Sequence, residues 1–143
     1  MTIDQLHGEL AYLGSPYSKR AEKLGGLGAA YIEACQLTAR LIQAGVRVFS
    51  PICHSHGIAL HGNIDPLDQT FWTDFDAVML HVCRVLIVAH LDGWQESTGI
   101  AHEIEFFEQR GRPIFDLPDP HGSSLTMIRR PPLARSVAST ERG

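Results

Sequence analysis

The run Val85-Leu86-Ile87-Val88-Ala89 is the feature that most restricts how this chain can fold. A strand with one solvated face alternates apolar and polar positions. An unbroken apolar strand must be covered on both faces. The run is too short to cross a bilayer, which needs about 20 apolar residues in a helix. It therefore predicts the central strand of a parallel sheet held between layers of helix.

The neighbouring segments fit that frame. Leu10 to Leu13 is a short apolar run closed by Gly14-Ser15-Pro16, a strand followed by a turn. Leu27, Tyr31, Ala34, Leu37, Thr38 and Leu41 recur at steps of three and four, which predicts an amphipathic helix ending at Ala44-Gly45, with Gly45 at the C′ position. Val46 to Phe49 reads as a second strand, stopped by Ser50-Pro51. Residues 54–68 mix glycines, a proline and histidines and are expected to be mostly loop. Phe71 to Val82 suits a helix with Phe75, Val78, Met79 and Val82 on one side. Gly99 to Arg110 predicts another helix, ended by Gly111, and Pro113-Ile114-Phe115 a last short strand. Strands alternating with helices imply an α/β three-layer sandwich with a parallel sheet of four to five strands. Ligands bind beyond the carboxyl ends of such strands, which directs attention to Gly14–Ser18, Ser50–His56 and His90–Glu103.

At 143 residues the chain has the length of one domain. Its composition changes near Pro118. Residues 1–118 form the expected domain, and residues 119–143 are a Pro/Arg/Ser-rich tail, read as mobile or as an arm lying on a neighbouring subunit. The net charge of −4 argues against nucleic acid as a partner, because a phosphate-backbone binder carries a basic excess. Small anionic ligands stay open. Met1 to Gln5 has neither the basic region nor the apolar core of a signal peptide, and no run predicts a membrane partner. Cys35, Cys53 and Cys83 are odd in number and form no CxxC pair, which suggests reduced thiols in a cytoplasmic protein.

The segment Gly93-Trp94-Gln95-Glu96-Ser97-Thr98-Gly99-Ile100-Ala101-His102-Glu103 follows the best strand and opens a helix. Ser97 or Thr98 is a natural N-cap, and Gly99 admits close approach to the backbone. The free N–H groups and the dipole at this end attract anions. Glu103 falls at the rim of the apolar stripe made by Ile100, Ile104 and Phe107. It is expected to be partly desolvated yet kept ionised by the helix start, a suitable state for a carboxylate nucleophile. It could equally do no more than complement the dipole. Asp74 and Asp76, on the preceding helix, are either solvated acids or a group that handles a proton. Cys53-His54-Ser55-His56, with His61, contains an H-x-H pair that would put both rings on one side of a strand. Polar loop histidines without metal are the plainer reading. Gly25-Gly26-Leu27-Gly28 lacks the GK[ST] ending of a phosphate loop and reads as a flexible lead into a helix. Trp72 and Trp94 could stack on a base or simply pack.

Tyr12-Leu13-Gly14-Ser15-Pro16-Tyr17, then Phe49-Ser50-Pro51, then Gly93-Trp94 with Ser97, Gly99 and Glu103, resembles the nucleoside 2-deoxyribosyltransferase superfamily, and most closely a small bacterial branch of uncharacterised function. The resemblance covers roughly Leu10 to Asp116. It implies a flavodoxin-like, Rossmann-like fold and cleavage of N-glycosidic bonds, with no metal or redox cofactor. Glu103 stands where the family's glutamate attacks the anomeric carbon. Asp76, with Asp74 as rival, stands where an aspartate assists at the leaving base or sugar. The resemblance also implies that Ser15 and Tyr17 line a ribose and phosphate pocket, and Trp94, Ser97 and Gly99 count with them as candidate substrate-binding residues. Related members often carry an aspartate just before the central strand, where this chain has Arg84.

The implied activity is hydrolysis or base exchange on a nucleoside or nucleoside 5′-monophosphate, through a glutamate glycosyl-enzyme intermediate. The implied assembly is a homo-oligomer that completes its sites across an interface. Members that act on 5′-monophosphates tend to have a serine six residues before the nucleophile, where Ser97 stands, and nucleoside transferases an aspartate. Two other functions compete: a nucleotide-sensing module without turnover, and a metal-dependent hydrolase built on His54, His56 and His61.

Overall fold

The structure is a computed structural model and describes Leu6 and residues 8–134. Its elements are β1 (Leu10–Gly14), α1 (Ser18–Leu24), α2 (Leu27–Gln43), β2 (Arg47–Phe49), α3 (Pro51–Gly62), α4 (Gln69–Val82), β3 (Val85–Ala89), α5 (Thr98–Gln109), β4 (Ile114–Leu117) and β5 (Ile128–Arg129). They form a Rossmann-like three-layer α/β sandwich. The five-stranded sheet has the order β2-β1-β3-β4-β5, with the first four strands parallel and β5 antiparallel to β4.

Every residue of β3 is buried, as its unbroken apolar run requires. Period-two alternation divides the side chains between two cores. Ala11, Leu13, Val85, Ile87, Phe115 and Leu117 face Leu37 and Leu41 of α2. Tyr12, Leu86, Val88 and Ile114 face Leu80 of α4 and Ile100 and Phe107 of α5. Gly45 takes the left-handed conformation just past α2, with φ 95°.

Two expectations about the elements need correction. Residues 54–62 are helical, not loop. Ser50-Pro51 ends β2 and also starts α3: the Ser50 hydroxyl accepts from the Cys53 N–H at 3.3 Å, and Pro51 sits in the first turn. Asn63, at φ 55°, closes the helix in the left-handed region. Gly25-Gly26 is the junction between two helices, because a short α1 precedes α2.

The tail reading also changes. Residues 119–130 pack on the body: Met127 joins the α2-side core, and Arg40 donates to the carbonyls of Pro120 and Gly122. Arg130 makes a two-pronged pair with Asp116 at 2.7 and 2.9 Å, which pins β5 beside β4. Residues 135–143 lie outside the described residues. Among the described residues no helix is long and apolar enough to cross a membrane.

Candidate active site

The chain runs from β1 to β2 on one side and on to β3 and β4 on the other, so the sheet's switch point lies between β1 and β3. A crevice opens there, beyond the strand ends. It holds a cavity of about 420 Å³, within the 300–1,000 Å³ range of small-molecule sites. The turn after β1 supplies Ser15 and Tyr17, the first turn of α1 supplies Lys19, α4 supplies Gln69, Trp72, Thr73 and Asp76, and the start of α5 supplies Ser97, Gly99 and Glu103.

Local sequence accounts for this placement. The Asp68 side chain caps α4 by accepting from the Phe71 N–H at 3.3 Å, which sets the helix phase so that Trp72 and Asp76 share the inner face. The Trp72 indole is fixed by donating to the Asp65 carbonyl at 2.9 Å. Ser97 caps α5, accepting from the Ile100 N–H at 3.2 Å, and Glu103 follows on the second turn. Gly14 ends β1 directly beneath that carboxyl. The Tyr17 hydroxyl hydrogen-bonds the His56 ring, which stacks on Tyr31 at 4.3 Å.

Among the described residues, Ser15 Oγ, Asp76 Oδ1 and Glu103 Oε1 are enclosed without a hydrogen-bond partner in the protein. All three residues line this one cavity. Buried polar atoms are rarely left unpaired, and a cluster of them in a concave site points to a ligand.

Burial pushes the Glu103 carboxyl up to about 8; the Tyr12 hydroxyl opposes this and the Asp76 charge adds to it. The expectation that the helix start keeps Glu103 ionised is thus overturned, because desolvation outweighs the dipole. Burial also raises Asp76 to about 6, opposed by His54. Near pH 7 the two carboxyls together hold about one proton, mostly on Glu103. A site charged with one proton and one carboxylate can serve as both acid and base.

The structure brings together Glu103, Asp76, Ser15, Tyr17, Ser97 and Gly99, and leaves Asp74 exposed on the outer side of α4. Trp94 does not line the cavity. It stacks on His90 at 4.1 Å and packs against the α5-side core, while Trp72 lines the cavity instead. Arg84 lies at the opposite end of the sheet, in an open groove with Glu9, Arg110, Arg112 and Arg129. His54 and His56 diverge, since positions two apart on a helix do not share a face. His54 stacks on Phe75 and His56 on Tyr31. Among the described residues no three His, Cys, Asp or Glu side chains come together as a metal site. Sequence reasoning missed Tyr12 as a neighbour of Glu103, because its place inside β1 marks it as core.

A family model matches residues 9–118; its description is a domain of unknown function, DUF1937. The chain belongs to the DUF1937 family. The match spans every cavity residue of this DUF1937 domain and stops before β5. No curated protein matches the chain.

Proposed function

We propose that this DUF1937 domain cleaves or exchanges the N-glycosidic bond of a nucleoside or nucleoside 5′-monophosphate, with Glu103 as nucleophile. The observation that carries the reading is the set of three unpartnered polar atoms, two of them carboxyl oxygens, in one cavity at the switch point. Sugar hydroxyls are natural partners for such atoms. The motif resemblance to the nucleoside 2-deoxyribosyltransferase superfamily supports the same chemistry.

In the reacting state the pair's proton resides on Asp76 and Glu103 is ionised. A Glu103 oxygen forms a bond to the anomeric carbon as the bond from that carbon to the base nitrogen breaks. The bonding pair leaves with the base, which takes the proton from Asp76. Water, losing a proton to Asp76, or a second base then attacks the anomeric carbon and frees Glu103. Hydroxyls donating to Glu103 favour its ionised form, so substrate binding itself shifts the proton toward Asp76.

The cap of α5 gives a place for a 5′-phosphate. Ser97, the free N–H groups of the first turn and Lys19 line the same mouth, and a helix N-terminus favours an anion. The test is base release from a panel of nucleosides, nucleotides and dinucleotides, read by chromatography. Release by the wild type that is lost in Glu103→Ala supports the reading. Binding without any release leaves a nucleotide sensor.

A further inference from the structure

The end of the sheet opposite the cavity carries a second concave surface. There an open groove of about 980 Å³ runs between the start of β3, the turn after α5 and β5. Its charged lining is Arg84, Arg110, Arg112 and Arg129 against the single acid Glu9. Glu108 lines an adjoining cleft and not this groove. The whole chain has a net charge of −4, so an excess of three positive charges in one groove is a local concentration. All four cations are arginines, whose planar forks bond phosphate oxygens two at a time.

The fold accounts for two of the four. Helices α4 and α5 end here with unpaired carbonyls. Nη1 of Arg112 donates to the carbonyls of Leu80, His81 and Cys83 at 3.1, 2.9 and 2.9 Å and so closes α4. Arg110 donates to the Phe106 carbonyl at 3.3 Å and lies over the Phe106 ring, which closes α5. These bonds also offset the negative ends of both helix dipoles, which would otherwise oppose an anion. Arg84 and Arg129 do no such work. Both are exposed, and among the described residues neither forms an ion pair. Cations gathered in one groove repel one another, and an anion seated among them removes that cost.

We infer that this groove binds an oligophosphate chain, inorganic or carried by a nucleotide, with Arg84 and Arg129 as its principal clamps. A single phosphate brings about two negative charges, fewer than the groove's excess, whereas two or three linked phosphoryl groups match it. A long polyanion such as nucleic acid would run off the groove onto a surface of negative net charge. The ligand meets the far ends of α4 and α5, the helices that carry Asp76 and Glu103, and needs none of the cavity residues.

Titration calorimetry of the full chain with inorganic triphosphate, at low salt and without divalent metal, tests this. One saturable site is expected, weakened by added salt. Adenosine triphosphate should also bind, since the phosphate chain is the part recognised, and orthophosphate should bind about 10-fold or more less tightly. Arg84→Ala/Arg129→Ala should lower triphosphate affinity on the order of 100-fold or more, the loss of two charged contacts. Both side chains are exposed, so this double variant should keep the wild-type melting temperature. Triphosphate should raise that temperature in the wild type and not in the variant. Arg47→Ala removes an exposed cation at the same end of the sheet but outside the groove, and should leave affinity unchanged. Ser97→Asp, at the cavity, should leave it unchanged too. The inference is overturned by a wild type without saturable binding, by an equal loss in Arg47→Ala, or by binding of adenosine triphosphate but not of inorganic triphosphate. Affinity lost in Ser97→Asp but kept in the double arginine variant would likewise overturn it.

Discussion

A Cβ placed on Gly14 would stand 2.8 Å from Oε1 of Glu103. Glycine at the end of β1 is thus what allows the carboxyl to lie over the strand. Gly14→Ala should leave the fold intact, at a cost of about 1–3 kcal/mol, because the obstructed atom is the end of a side chain that can swing away. Swinging away misplaces the nucleophile, so base release should fall far more than stability. A variant with wild-type turnover would show that the position of Glu103 over Gly14 is irrelevant to the chemistry.

The buried proton on Glu103 can be tested without any substrate. The carboxyl titrates near 8 in the fold and at the ordinary 4.5 when unfolded. Between these values the folded chain keeps a proton that the unfolded chain has released. This group's contribution to stability is therefore undiminished below pH 4.5 and declines as pH rises toward 8. Glu103→Gln removes that decline. Urea denaturation should show it gaining on the wild type by up to about 4 kcal/mol at pH 8, and by little at pH 5. An equal difference at both pH values would mean that Glu103 is ionised throughout.

The same proton sets the pH–rate profile. A pair titrating near 6 and 8 holds one proton between those limits. kcat/KM should follow a bell centred near pH 7: a second proton quenches the nucleophile on the acid side, and loss of the first removes the acid on the alkaline side. Asp76→Asn should lower the rate by about 10²–10⁴-fold and flatten one limb. The exposed Asp74 should tolerate the change to Asn, and a larger loss there than at Asp76 would reverse the assignment.

Ser97→Asp places a carboxylate where the phosphate reading puts an anion. Titration calorimetry of Glu103→Ala protein with matched nucleosides and 5′-monophosphates avoids turnover. The monophosphate should bind better than its nucleoside, and Ser97→Asp should weaken it much more. Equal affinities would remove the phosphate while leaving the glycosidic chemistry standing.

The four parallel strands and α2 and α5 were legible because apolar period and burial coincide in them; α4 was legible as a helix, but Phe75, Val78 and Val82 of its expected apolar side are exposed, and Trp72 and Leu80 are the residues it buries. The histidine segment misled because Ser50-Pro51 is both a strand stop and a helix start, and its glycines masked a 12-residue helix. β5 is two exposed residues held by a pairing with Asp116, a tertiary cause with no local signature. Of the residues named in advance as a site, all but Trp94 line the cavity, since a parallel sheet directs its strand ends to one place. The nearness of Gly14 to Glu103, the protonation of Glu103 and the exchange of Trp94 for Trp72 depend on how α4 and α5 sit on the sheet, which spacing alone does not determine.

The Arg130–Asp116 pair has a consequence for where this domain ends. Without β5, the free side of β4 would present a row of unpaired backbone groups, an open template for another strand. A chain cut after Pro118 would keep every cavity residue yet lose that cover, together with Met127 from the core. Its failure would appear as aggregation by edge-to-edge sheet growth, before any defect in binding could be measured.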